Sequence, residues 1–342
     1  MNWPNPKRIL VVGPAWVGDM VMAQSLFKAL KTRYADAHID VLAPAWTQPL
    51  LARMPEVRRG RTLPFAHGHF QPLRRYAFGK SLRPESYDWA IVMPITWKSA
   101  LIPFAAHIPR RTGFLGESRW GLINDTRSLD KNALPMMVQR YLSLALEADE
   151  ALTNNIPRPA LTSTAEQQFA TLTRLGITTI DRPILALCPG AEYGPSKRWP
   201  PEHFAELARR QIALGWQVWI FGSAKDQEQA TYIADQLSPS ACINLAGKTR
   251  LEDAIDLLAL ATTVVSNDSG LMHVAAALER RVIAVFGSSD PKYTPPLSPR
   301  ASIVSINIEC SPCFKKECRY GHYKCLNDLK PAHVIAQLEH PP

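Results

Sequence analysis

The sequence predicts an α/β chain built from two doubly wound parallel sheets in tandem. Three observations carry this. The chain has 342 residues, about two domains of ~170 residues each. Short β-branched runs alternate with helical stripes, the βαβ pattern whose parallel strands need helical crossovers. Midway the alternation lapses and then restarts. Composition agrees, with 46% hydrophobic and 20% charged residues, ordinary for a globular chain.

Taken in order, Arg8–Gly13 reads as a fully buried strand, continuous and branched, ending in a glycine turn. The segment after it places Met22, Leu26, Ala29 and Leu30 on one helical face. Further strands are expected at His38–Ala43 and Asp88–Met93. From Asp149 to Thr164 the sequence is polar and contains Asn154, Asn155, Pro157 and Pro159, a linker pattern. The expected domains are therefore residues 1–155 and 156–342, facing each other across a cleft. In the second, strands are predicted at Ile184–Cys188, Gln217–Phe221, Thr262–Ser266 and Arg281–Phe286. Helices are predicted at Pro201–Leu214, Asp226–Leu237, Leu251–Leu260 and Gly270–Leu278, with Leu251, Ala254, Ile255 and Leu258 as one stripe.

Charge is unevenly distributed. Residues 1–150 hold 20 basic and 12 acidic side chains, net +8, leaving 19 and 18, net +1, for residues 151–342. The front half is suited to an anionic partner. No apolar stretch reaches the ~18–20 residues of a membrane span; the longest, Trp89–Ile108, is interrupted by Pro94, Lys98 and Pro103. No signal-peptide pattern opens the chain. Secretion and a membrane span are not expected.

Three strand-end loops carry chemistry. Gly13-Pro14-Ala15-Trp16-Val17-Gly18-Asp19 puts a carboxylate at a helix start, where it either steadies the helix dipole or serves as a general base. The loop lacks Gly-x-Gly-x-x-Gly, which opposes a nicotinamide oxidoreductase. Pro189–Pro200 follows a strand with glycines and the adjacent cations Lys197 and Arg198, an arrangement suited to phosphate. Ser266–His273 runs from a strand through Asp268 and Ser269 into a helix; both residues are capping types, and His273 alone would read as a core histidine. Together the loops suggest a nucleotide diphosphate.

These residues carry a resemblance. Gly-Pro-x-Trp-Val-Gly-Asp at 13–19, Pro-Gly-Ala-Glu-Tyr-Gly-Pro-Ser-Lys-Arg-Trp-Pro at 189–200, Phe-Gly-Ser-Ala-Lys-Asp at 221–226 and Ser-Asn-Asp-Ser-Gly-Leu-Met-His at 266–273 are similar to the bacterial ADP-heptose:lipopolysaccharide heptosyltransferases, glycosyltransferase family 9, and most to their heptosyltransferase II branch. The likeness runs from Arg8 to about Leu297. It implies the GT-B fold of two Rossmann-like domains, the first binding acceptor and the second ADP-heptose. It also implies inverting transfer of L-glycero-D-manno-heptose onto heptose I of heptosyl-Kdo2-lipid A, with no catalytic metal and no cofactor.

By position the resemblance makes Asp19 the catalytic base and Lys197 the phosphate-binding lysine, with Asp268, Gly270 and His273 contacting heptose and diphosphate. Gly190 and Ser196 join the donor loop. Ala224 stands where some relatives carry the ribose-binding carboxylate, which leaves Asp226 or Lys225 for that role. Arg58, Arg59, Arg61, Arg74, Arg75, Lys98, Arg110, Arg111 and Arg119 are the cations to weigh for the anionic acceptor. Lys98, Arg110 and Arg111 are favoured because they follow strand-end or proline-containing loops. The implied location is the cytoplasm, peripheral to the inner-membrane leaflet that holds the acceptor, with basic residues toward anionic lipid.

Alternatives differ in specific features. A heptosyltransferase I type would act on Kdo. A nucleotide-sugar epimerase shares paired Rossmann domains, but has no acceptor and no use for a basic front half. A nucleic-acid binder is opposed by the missing aromatic-interleaved basic platform.

Cys188 and Cys242 read as small core residues. Cys310, Cys313, Cys318 and Cys325 form Cys-x2-Cys-x4-Cys-x6-Cys with His322 inside. That density is zinc-like but fits no standard finger. A reduced surface loop is the simpler expectation and a structural metal the second. A disulfide framework is disfavoured in a reducing compartment.

Overall fold

The alternating pattern becomes two parallel sheets in the computed structural model, which describes residues 3–65, 68–148, 150–153 and 155–339. Asp149 and Asn154 of the expected linker lie outside the described residues. The chain divides into two units, one running to Pro159 and the other from Ala160. Leu161 donates its amide to the Ala277 carbonyl at 2.9 Å, so chain just past the boundary is already laced to unit 2.

Unit 1 runs β1 (Arg8–Val12), α1 (Val17–Arg33), β2 (His38–Ala43), α2 (Gln48–Leu51), β3 (Val57–Thr62), α3 (Pro72–Ser81), β4 (Trp89–Val92), α4 (Trp97–Ala105), β5 (Arg110–Phe114), β6 (Asp125–Arg127) and α5 (Met137–Ser143). Among the described residues the sheet order is β3-β2-β1-β4-β5-β6, every pairing parallel. β1 is central, and beyond Arg8 every residue is buried, as a strand covered on both faces requires. β3, Val-Arg-Arg-Gly-Arg-Thr, carries no apolar pattern and lies at the sheet edge. Its cations explain its place: Arg58 Nε and Nη2 donate to Asp40 on β2 at 2.8 and 2.7 Å. Arg59 and Arg61 join the same carboxylate, which also accepts the Tyr87 hydroxyl at 2.6 Å. Burial works to raise the Asp40 carboxyl, but these partners outweigh it and hold it at about 2.

Unit 2 runs α6 (Ala165–Leu175), β7 (Ile184–Cys188), α7 (Pro201–Ala213), β8 (Gln217–Ile220), α8 (Gln227–Ala234), β9 (Cys242–Asn244), α9 (Leu251–Ala259), β10 (Thr263–Asn267), α10 (Gly270–Ala277), β11 (Arg281–Val285), β12 (Ala301–Val304), α11 (Lys324–Asn327) and α12 (Pro331–Glu339). Its order is β12-β11-β10-β7-β8-β9, again all parallel. α6 has sequence-legible ends: Thr164 and Gln167 exchange side-chain and backbone hydrogen bonds, and Gly176 stops it at φ 68°. The core under the donor loop centres on Trp199. Its ring is fully buried, meets Phe204 edge-on at 4.9 Å and donates Nε1–H to the Leu329 carbonyl at 2.7 Å. Truncating such a side chain costs about 3–5 kcal/mol.

The two units are thus both doubly wound, as the sequence pattern predicts. Among the described residues no helix is long and apolar enough to cross a membrane.

Candidate functional site

Ligands in open α/β sheets bind beyond the carboxyl ends of strands where the winding reverses. In unit 2 the winding from β7 goes to β8 and β9, and from β10 to β11 and β12, so the reversal lies between β7 and β10. In unit 1 it lies between β1 and β4 by the same reading. The predicted chemical residues collect at these two points.

At the unit 2 point, Lys197 closes a short turn (Pro195–Lys197) after β7, and Asp268 follows β10. Their side chains meet, with Lys197 Nζ 2.5 Å from Asp268 Oδ2. Ser289, beyond β11, donates its hydroxyl to the same oxygen at 2.5 Å. The lysine also stands 5.0 Å over the Tyr193 ring. Gly270 opens α10, so the first amides of an eight-residue helix face the same end of the sheet. The result is a cation, a carboxylate and helix amides at one switch point, the set needed for phosphate beside sugar hydroxyls.

His273 lies one turn into α10 and is buried. Burial is the main cause that lowers its pKa, to about 4; Asp268 pulls it up and Lys197 down by less. The imidazole is therefore neutral at pH 7, a hydrogen-bonding group rather than a second cation.

In unit 1, Asp19 sits half-buried in the first turn of α1, just past the end of β1. Lys98 sits half-buried in the first turn of α4, past the end of β4. Adjacent strands thus present an acid and a cation at one switch point.

Other expected cations have partners within unit 1. Arg110 is buried at the start of β5, the end of the strand remote from the switch point. It bonds Asp125 at 2.8 Å and Glu147 at 2.9 Å, and lies 4.2 Å over the Trp89 ring. Arg111 donates to the carbonyls of Leu122, Ile108 and Gly121 at 2.7, 2.6 and 3.2 Å. Both arginines hold β5 to its surroundings. Arg58, Arg59 and Arg61 serve Asp40, and Arg75 is buried against the Phe65 ring at 4.4 Å. Arg58 and Arg59 stay exposed while paired, whereas Arg75 and Arg110 are drawn inside.

Within the donor loop, several of the expected residues already have protein partners. Asp226 Oδ2 accepts the Ser223 amide at 2.9 Å and hydroxyl at 2.7 Å, and Oδ1 lies 3.7 Å from Arg198. Its carboxylate packs directly under Gly190, where a Cβ would fall 2.6 Å from it. Asp226 shapes the loop from beneath Gly190, which is glycine to permit that approach. Lys225, the other residue considered for ribose, is exposed and pairs with Glu192. Ser196 is buried; its hydroxyl bonds the Lys315 carbonyl and accepts from Ser288 at 3.0 Å.

Two residues take supporting roles that the sequence reading did not assign to them. Asn267 is fully buried at the end of β10 and bonds the Pro189 and Trp199 backbones, both ends of the donor loop. Arg119, fully buried, donates to the carbonyls of Pro94 at 2.7 Å and Leu115 at 3.1 Å, bracing the turn that leads into Lys98. Only its place after a strand end hinted at this.

Residues 75–324 match the family described as glycosyltransferase family 9 (heptosyltransferase). The chain is similar to lipopolysaccharide heptosyltransferase 2 of Salmonella typhimurium, 46% identical over 338 residues and 97% of each chain. It is 48% identical over 340 residues to lipooligosaccharide heptosyltransferase 2 of Haemophilus influenzae, covering 96% of this chain and 98% of the other. Its structure matches that of the E. coli ADP-heptose lps heptosyltransferase II with a TM-score of 0.88 at 44% identity over 97% of each chain.

Proposed function

The chain belongs to glycosyltransferase family 9, the heptosyltransferases, and from that premise we propose that it moves L-glycero-D-manno-heptose from ADP-heptose onto heptose I of the lipopolysaccharide inner core. The observation that carries this reading is likeness to heptosyltransferase 2 enzymes along nearly the whole chain. That likeness favours heptose I over Kdo as acceptor, and a transferase over an epimerase.

The roles follow from the geometry of each unit. As the anomeric bond breaks, the ADP oxygen gains charge; Lys197 and the first amides of α10 are fixed there to receive it. Lys197 turns from Asp268 to the diphosphate when the donor enters, and the freed Asp268 carboxylate accepts from heptose hydroxyls. Neutral His273 contributes a hydrogen bond without adding charge. Asp19 takes the acceptor hydroxyl proton, and attack on the face opposite the leaving group inverts the centre. Lys98 meets an anionic group of the acceptor. With Lys197 and the amides supplying positive charge, the reading assigns no step to a metal or other cofactor.

The acceptor is lipid-anchored, and we place the enzyme in peripheral contact with the cytoplasmic leaflet. Supporting this, exposed Trp16, Trp46, Phe70, Ile95 and Trp120 lie in loops that follow β1, β2, β3, β4 and β5. Aromatic rims of this kind suit a membrane interface.

A product assay with ADP-heptose and heptosyl-Kdo2-lipid A tests the reading. The expected result is one added heptose with inverted anomeric configuration. Donor turnover without acceptor, or equal transfer to Kdo2-lipid A, would overturn it.

A further inference from the structure

The four clustered cysteines lie in a largely exposed loop but are themselves gathered at one point. Cys310, Cys313, Cys318 and Cys325 are all free and partly buried, and all line one cavity of about 20 Å³ together with His322. That volume suits a single ion or water. Ser196 and Ser288 line it too. As placed, no three His, Cys, Asp or Glu side chains among the described residues form a ready metal-ligand group. The thiols instead border a common space that side-chain rotation brings them into.

We propose that Cys310, Cys313, Cys318 and Cys325 are the ligands of one soft transition-metal ion, zinc or iron, held as a tetrathiolate knuckle that braces the donor loop. Three features beyond the cysteine count support it. Residues 305–323, between β12 and α11, contain no helix or strand; a chain of this kind has few internal bonds to hold it without a staple. The backbone turns at Gly321 and Tyr323, at φ 71° and 46°, and the Cys318 sulfur lies 3.9 Å from His322 Nδ1 inside that turn. Finally, four thiolates and a divalent ion sum to −2, and residues 305–325 carry Lys315, Lys316, Arg319 and Lys324 against Glu309 and Glu317, net +2. Soft sulfur ligands select zinc or iron over hard ions. Each S–H passes its proton to solvent as its metal–sulfur bond forms, with no change of oxidation state.

The knuckle reaches both halves of the Lys197–Asp268 pair. On one side Ser196 donates its amide to the Lys316 carbonyl at 3.2 Å, and Tyr193 its hydroxyl to the Phe314 carbonyl at 2.7 Å. Gly194 abuts Lys316 so closely that a Cβ would lie 2.5 Å from that carbonyl oxygen. On the other, the amides of Cys313 and Phe314 donate to the Ser288 carbonyl at 3.0 and 2.8 Å, next to Ser289 on Asp268. Metal loss therefore loosens the donor loop as well as the knuckle.

Metal analysis of the untagged full-length protein, purified under reducing conditions without a chelating column, tests the proposal. The expected result is about one equivalent of zinc or iron per chain, released when a mercurial reagent titrates the thiols. Zinc leaves the protein colourless, whereas iron gives visible thiolate-to-iron absorption, which tells the two apart. Cys313→Ser and Cys325→Ser should cut occupancy at least ~5-fold, and Cys242→Ala should leave it unchanged. Stripping the ion should weaken ADP binding measured by calorimetry. Should the serine variants fail to fold, the wild-type stoichiometry still decides. Folded wild-type protein with under ~0.1 equivalent of either metal overturns the proposal, as do disulfides among these four cysteines. Neither result bears on whether the enzyme transfers heptose.

Discussion

The buried Asn267 carboxamide accepts the Trp199 amide proton at 3.1 Å, while its Nδ2 donates to the Pro189 carbonyl at 2.6 Å. One side chain on β10 thus ties both ends of the loop that carries Lys197. Asn267→Ala leaves both backbone groups unpaired in the interior, at about 1–3 kcal/mol each. A lower unfolding temperature and roughly tenfold weaker ADP binding are expected. An unchanged thermal midpoint would remove Asn267 from this role.

Lys197 and Asp268 should divide the donor between them. Lys197→Ala is expected to weaken ADP and ADP-heptose alike, since the missing partner is a phosphate cation. Asp268→Ala should weaken ADP-heptose more than ADP. Calorimetry giving equal losses for both ligands in both variants would contradict the assignment.

Asp19→Asn should lower kcat by ~10²–10⁴-fold, the usual range for a general base, and leave ADP affinity near wild type. Turnover close to wild type would mean that Asp19 only steadies the start of α1.

Lys98 and Arg110 should separate function from stability. Lys98→Ala is expected to raise the acceptor KM with little change in melting temperature. Arg110→Ala takes one of two arginines from half-buried Asp125, which keeps Arg127 and Thr112, and also removes the guanidinium packed on the Trp89 ring and paired with Glu147, so the unfolding temperature should fall. A folded Arg110→Ala protein with a raised acceptor KM and unchanged stability would reverse this division.

His273 sets a pH window. Its pKa near 4 in the fold lies below the ordinary 6.5. The unfolded chain therefore binds the proton first, and stability falls as pH drops from 6.5 toward 4. The full loss is about 3 kcal/mol. Asp40, held at about 2 against 3.8, keeps its contribution until pH falls below 3.8 and loses it through about 2. Denaturant titrations should show the first slope in wild type and its flattening in His273→Gln. An unaltered slope would assign the loss to other groups.

Local sequence was enough to place the strands that lie at the sheet centres. Ile184–Cys188 matches the observed strand end to end, because a strand buried on both faces must be continuously apolar; His38–Ala43 matches too, although buried Asp40 interrupts its apolar run. α7, α9 and α10 likewise begin at the expected residues. β3 was invisible because its stabilising partner, Asp40, lies on another strand and matches its arginines by charge rather than by pattern.

The sequence by itself determined the repeated α/β winding and the loops that hold Asp19, Lys197 and Asp268, since strand-end glycines and helix starts are local signals. Only tertiary structure decided which charges are available. Lys98 stays at the mouth of the unit 1 sheet, while Arg110, Arg111 and Arg119 are drawn into contacts with residues up to 37 positions away. It also assigned Asn267 to the donor loop across 78 residues and set four cysteines around one cavity against Ser196. A charge or a carboxamide looks alike in sequence whether buried or exposed. What it does depends on the partner that folding places beside it, because desolvation makes an unpaired polar group too costly to bury.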